Sequence, residues 1–224
     1  MKKIITSVVS VLVLSFLILV VNYIIVDKYQ SQISEGEPIV QKDTIRKAVL
    51  VIDIQEGITG KRATDDYYIL KSDELIRNIN RVADSSARNH IAVVYVKSEI
   101  SNFLINILNS SLAKGGFGAQ FDSRLKVVSD LIINKDKSDA FSNPSLDSIL
   151  IKNDINKLVF AGIDLAECVN STILAAANRK YRICVISDAV LSKSDSLKNV
   201  TLDKFKHSGF EIITSNEYFE SIHK

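Results

Sequence analysis

The sequence predicts an α/β protein: a three-layer α/β/α, Rossmann-like sheet of six mostly parallel strands, preceded by one N-terminal transmembrane helix. Three observations carry that expectation. Short, nearly continuous runs rich in valine and isoleucine, such as KAVLVIDIQ (47–55) and KLVFAGI (157–163), recur as in strands covered on both faces. Stretches with helical spacing separate them, and such alternation builds a parallel sheet with helices on both sides. Ahead of both lies a charge-free run from Ile4 to Val26, about as long as a bilayer-spanning helix requires.

In chain order, Lys2 and Lys3 precede the apolar run, which favours a cytoplasmic N-terminus, a single pass through the cell membrane and an extracytoplasmic domain. A cleaved signal peptide is the rival. The run exceeds the usual apolar core of about 7–15 residues and no small-residue cleavage site follows, so an uncleaved anchor over 1–27 is expected. Residues 28–44 are polar, carry Gly36 and Pro38 and show no periodicity, as in a tether. The domain is expected over 45–224. Its first strand, 47–55, leads to a helix at 69–89 with Leu75, Ile79 and Val82 on one face. Strands follow at 91–97 and 126–134, then a helix at 144–153 opened by Pro144. The pattern continues with strand 157–163, helix 168–180, strand 182–190 and a last helix–strand pair, 197–209 and 210–219.

A chain of 224 residues suffices for one compact domain and an appendage. Lysine plus arginine against aspartate plus glutamate is 28 to 26, without basic blocks, which argues against a nucleic-acid surface. Two cysteines, Cys168 and Cys184, are too few for a disulfide framework and too far apart for a zinc knuckle. His90, His207 and His223 are equally scattered.

In parallel sheets reactive groups sit beyond the carboxyl ends of the strands. Three positions stand out there. Cys168 falls in the first turn of a helix, where free amides and the helix dipole favour a thiolate and can cradle an oxyanion. A lone cysteine is also simply a small buried apolar residue, which suits Cys184 in RICVIS. Asp53 closes VLVID; it either caps a loop or serves as a general base. Lys135, in INKDKSDAF, is a solvated loop cation unless it turns inward to hold Asp53.

Together these residues carry a resemblance. AVLVIDIQ is similar to a first strand ending in D-x-Q, KDKSDAF to a lysine motif with Asp139 in the place of the usual serine, and GIDLAECVNSTILAAANRKYRICVISDA to a cysteine block. Over residues 46–215 the chain resembles the isochorismatase-like cysteine hydrolases, which include nicotinamidases and N-carbamoylsarcosine amidohydrolases. The resemblance implies a catalytic triad of Asp53, Lys135 and Cys168, a cis peptide between Ile163 and Asp164, and an oxyanion hole from the backbone N–H groups of Asp164 and Cys168. It also implies a homo-oligomer. Nicotinamidases bind a metal through an Asp-x-His motif and a further histidine; KSEISNF (97–103) has no histidine, so neither metal nor other cofactor is expected. Asp164 and Glu167 add carboxylates that raise the thiol pKa or select a cationic substrate. Specificity is expected in residues 57–68 and 97–121, with Phe103, Phe117 and Phe141 as candidates to line the pocket. The expected activity is hydrolysis of a C–N bond in a small amide, imide or ureide. The alternatives are a catalytically inactive, membrane-tethered small-molecule-binding module and a redox-sensing thiol.

Overall fold

In the computed structural model, which describes residues 2–222, six strands form one parallel sheet in the order β3-β2-β1-β4-β5-β6. His223 lies outside the described residues. The strands are β1 (Lys47–Ile52), β2 (Ala92–Ser98), β3 (Ile132–Lys135), β4 (Lys157–Gly162), β5 (Arg182–Val190) and β6 (Glu211–Ile213). The helices are α1 (Lys2–Gln30), α2 (Asp66–Arg88), α3 (Phe103–Leu108), α4 (Pro144–Lys152), α5 (Cys168–Asn178), α6 (Asp195–His207) and α7 (Ser215–Ile222). Strand order reverses between β1 and β4, and such a switch point opens a crevice at the carboxyl ends.

Alternate residues of the central strands feed two cores, while the edge strand β3 buries only one face. Leu50, Val94 and Phe160 pack on one face with Leu146, Ile173 and Phe205 from α4, α5 and α6. Val49, Val51 and Val159 pack on the other with Tyr218 of α7 and with Leu75, Ile79 and Val82 of α2, the residues whose spacing predicted that helix. Burial on both faces explains why the strands are continuous apolar runs.

Three elements differ from the sequence expectation, one being α3, which lies in a segment where no helix was expected. The third strand is only Ile132–Lys135. Upstream of it, the Tyr95 hydroxyl donates to Lys126 O and accepts from Val128 N, and Lys126 N bonds Asn80 Oδ1, so side chains replace sheet partners. The last segment is a short strand followed by a helix. Thr214 and Glu217 form a reciprocal cap: Thr214 N donates to Glu217 Oε2 at 2.6 Å and Glu217 N to Thr214 Oγ1 at 3.2 Å.

The polar segment after α1 is fastened to the domain. Arg179, 3% exposed, holds Asp147 at 2.8 Å, donates to Ser34 O and Glu35 O, and stacks over Phe141 at 4.4 Å. Asp139 accepts from Phe141 N through one oxygen and from Ser34 N and its hydroxyl through the other. A carboxylate has the second oxygen that a serine lacks. A Cβ on Gly36 would lie 2.5 Å from the Arg179 guanidinium, so this close pass takes glycine. Arg179→Ala is expected to cost about 3 kcal/mol of docking and to speed proteolytic cleavage within residues 31–42 roughly 100-fold. Lys42→Ala, which removes an exposed pair with Asp154, should leave that rate unchanged.

Candidate active site

The site is built at the switch point. Gly162, at φ +129°, ends β4 against β1, where a Cβ would come within 2.2 Å of Ile52 O; no side chain fits. Directly after β1, Asp53 takes the left-handed conformation (φ 57°), at a cost of about 1 kcal/mol, and its amide bonds Val96 O on β2. The carboxylate meets two groups from neighbouring strands. Lys135 Nζ, at the end of β3, lies 2.9 Å from Asp53 Oδ2 and 2.8 Å from Ser98 Oγ, which donates to Asp53 Oδ1 at 3.0 Å. Register explains the meeting, because Lys135 pairs with Ser98. Gln55 holds the same corner: its side chain accepts from Ser98 N and donates to Ser98 O and Ala119 O.

Cys168 opens α5, within interaction range of both Asp53 and Lys135. The loop before it uses its amides almost completely. Ile163 N bonds Ile52 O, Leu165 N bonds Leu191 O, Ala166 N bonds Asp164 Oδ1, and the amides of Glu167 and Val169 share Asp164 O. Among the described residues, no acceptor stands opposite the amides of Asp164 and Cys168, the two expected donors to an oxyanion. The Ile163–Asp164 peptide is cis. Asp164 is not a free charge, since Ser192 Oγ (2.5 Å) and Tyr68 OH (2.7 Å) also hold its carboxylate. Thr172 Oγ1 donates to Cys168 O and accepts from Ala140 N, joining the cysteine turn to the lysine motif.

The electrostatics correct one expectation. Helix-end placement predicted a thiolate, but burial pushes the Cys168 thiol up to about 12 and the Asp53 carboxylate adds to the shift, while Lys135 opposes it. Burial disfavours the Lys135 ammonium too, yet the Asp53 carboxylate that accepts from it holds Lys135 above the usual lysine value. The sulfur therefore rests as a neutral thiol near the Lys135 ammonium. A second buried anion beside Asp53 would lack a counter-charge. Such a group can attack a carbonyl as its proton moves to the carboxylate.

A cavity of about 500 Å³ opens over Cys168, within the range for small ligands. Tyr68, Ile100, Ile105 and Leu112 supply apolar wall, and Glu167 faces Lys193 at 3.6 Å. The three phenylalanines expected there are elsewhere. Phe141 is buried in the core against Tyr181 and Arg179, and Phe103 and Phe117 are exposed, 75% and 45%, outside the wall. Tyr68 and Ser98 fall within the segments 57–68 and 97–121 expected to carry specificity, but neither side chain is singled out by the sequence. Cys184 is buried on β5, as a small apolar residue would be. Among the described residues, no three His, Cys, Asp or Glu side chains come together to hold a metal ion. Lys97–Phe103 supplies no histidine, so the residues present do not fit the nicotinamidase metal.

Three relatives share this architecture or sequence. An Arabidopsis thaliana protein named a probable inactive nicotinamidase is 26% identical over 189 residues, 78% of this chain and 95% of its own length. A ureidoacrylate amidohydrolase of Acinetobacter baylyi is 27% identical over 169 residues, 63% of this chain and 69% of the relative. The crystal structure of N-carbamoylsarcosine amidase from Thermoplasma acidophilum superposes with a TM-score of 0.66 at 27% identity, covering 76% of this chain and 97% of that one. Residues 47–217 match the isochorismatase domain. With that match spanning every strand of the sheet, the chain belongs to the isochorismatase family.

Proposed function

We propose that the protein is a membrane-anchored cysteine amidohydrolase that cleaves a C–N bond of a small amide, imide or ureide through a thioester or thiocarbamate. The observation that carries the reading is the meeting of Cys168 and Asp53 in one cavity, with Lys135 buried behind Asp53 at 2.9 Å, beside two amides that have no acceptor among the described residues. Cys168 Sγ attacks the carbonyl carbon as its proton passes to Asp53. The carbonyl oxygen, now negative, takes hydrogen bonds from the amides of Asp164 and Cys168. Collapse breaks the C–N bond, and ammonia or an amine leaves with the proton from Asp53. Water then gives a proton to the same carboxylate, attacks the acyl carbon, and the thiol is restored. Lys135 orients the carboxylate and stays charged throughout. Two relatives are named for a ureide or N-carbamoyl substrate, which supports a carbamoyl group as the part recognised.

The anchor reading is supported by α1, the one candidate membrane span among the described residues. Lys2 and Lys3 ahead of it favour a domain outside the cytoplasm. A second reading, a tethered binding module without turnover, is favoured by the relative named as inactive. Incubation of the full chain with primary amides, cyclic imides and N-carbamoyl amino acids, followed by acid quench, separates the two. The expected result is released ammonia or amine and an acyl or carbamoyl mass on the Cys168 peptide. Compounds that bind yet leave neither product nor adduct establish the binding module instead.

A further inference from the structure

The wall of the cavity includes a helix with an unusual surface. FLINIL, the whole of α3, has one polar residue in six, yet none of its residues is buried. Phe103, Ile107 and Leu108 are 75%, 59% and 58% exposed, while Ile105 lines the cavity. An apolar helix in water turns its apolar side inward; one that leaves it outward marks a contact with lipid or another chain.

The neighbour of α3 tells which. α3 packs beside α1. Along residues 3–30, only Leu19, Asn22, Val26 and Gln30 are half-buried, one helical face confined to the last turns. A hydrocarbon core about 30 Å thick takes about 20 residues at 1.5 Å each, so a span beginning at Ile4 leaves the core near Tyr23. Tyr23 and Tyr29 stand where aromatic side chains favour the interface, and Asp27 and Lys28 mark the aqueous side. The half-buried face of α1 thus straddles the bilayer surface. Residues 3–18 of α1 are exposed throughout, so its contact with α3 falls on this half-buried face and sets α3 at that depth. The domain is also held there: Ser138 N bonds Gln30 O at 3.0 Å, Gln30 Nε2 bonds Asp136 O at 3.2 Å, and Lys137 Nζ sits 4.0 Å from the Tyr29 ring.

We propose that α3 is seated in the interfacial layer of the bilayer that α1 crosses, with Phe103, Ile107 and Leu108 in lipid and the cavity wall resting on the membrane surface. The proposal rests on α1 being an uncleaved anchor, not on the hydrolytic chemistry. It assigns Phe103, first expected in the pocket, to lipid.

The chain contains no tryptophan, so one introduced tryptophan is the only indole and can be excited selectively over tyrosine. The full chain carrying Ile107→Trp, Phe16→Trp in α1 or Val200→Trp on the exposed side of α6 is reconstituted in phosphatidylcholine vesicles. Matched vesicles contain lipid brominated near the headgroup end of the acyl chain. Phe103→Trp repeats the α3 reading with a conservative change. Emission from Ile107→Trp is expected to be blue-shifted relative to Val200→Trp and to lose intensity in brominated vesicles, while Val200→Trp keeps its own. Unquenched Ile107→Trp and Phe103→Trp beside quenched Phe16→Trp would refute the seat and leave the anchor standing. Unquenched Phe16→Trp with release of the protein at alkaline carbonate pH removes the anchor and the proposal together. A shielded but unquenched α3 tryptophan, with a doubled particle mass, gives that face to a second copy and overturns the lipid assignment.

Discussion

Cys168→Ala is expected to lower turnover by about 10⁴–10⁶-fold while leaving ligand affinity within a few-fold of the parent. The asymmetry follows from what the sulfur touches. In the proposed reaction it is the atom that forms the covalent bond, so nothing else at the cavity floor replaces it. Asp53 and Lys135 keep each other, with Ser98 between them, and neither buried charge is orphaned by the change. Alanine removes only the sulfur of Cys168, which borders an open cavity, and is expected to alter stability by about 1 kcal/mol or less. The measurements are steady-state turnover, equilibrium binding of a substrate-like ureide, and thermal unfolding. Parent-level turnover in Cys168→Ala would sink the covalent mechanism. Loss of binding alongside turnover would point to a collapsed cavity.

Much of this site was legible in the sequence because strands covered on both faces write themselves as unbroken apolar runs. The residues that end such runs are then marked for chemistry. Asp53 ends one such run and Cys168 opens the helix after another, but each had a bland alternative, and only the family resemblance joined them to Lys135. What stayed hidden depends on contacts between distant segments. Ser98 looks like any serine closing a strand until register places it opposite Lys135. Arg179 looks like an ordinary helix-end cation, yet it grips backbone some 145 positions away. The segment at 31–44 has no periodicity because its partners are carbonyls and side chains of the domain, not a repeating face. The cap joining Thr214 to Glu217 was available as T-x-x-E and would have separated β6 from α7. Phenylalanine in a loop proved a poor guide to the pocket, whose aromatic wall is Tyr68 from the start of α2.

The charge state of the sulfur was the least legible property, and Asp53→Asn tests it through two effects of opposite sign. Turnover is expected to fall about 10²–10⁴-fold, because no group remains to take the thiol proton and return it to the leaving amine. Alkylation of Cys168 by iodoacetamide at neutral pH is expected to become faster. Burial and the Asp53 charge together keep the proton on sulfur; asparagine removes the charge and leaves Lys135 free to pair with a thiolate. In the parent, alkylation should climb roughly tenfold per pH unit from about pH 7 to about pH 10 without levelling, since the thiol lies at about 12. In Asp53→Asn the same curve should level at lower pH. Lys135→Met provides the opposite arm. It removes the cation that favours the thiolate and strands the Asp53 carboxylate, so alkylation and turnover both fall, with a stability loss of about 3–5 kcal/mol. A poised thiolate predicts the contrary for the parent, with fast alkylation at neutral pH that is already flat. Equal alkylation rates in the parent and Asp53→Asn would show that the carboxylate does not hold the proton on sulfur, and the general-base role would pass to another group.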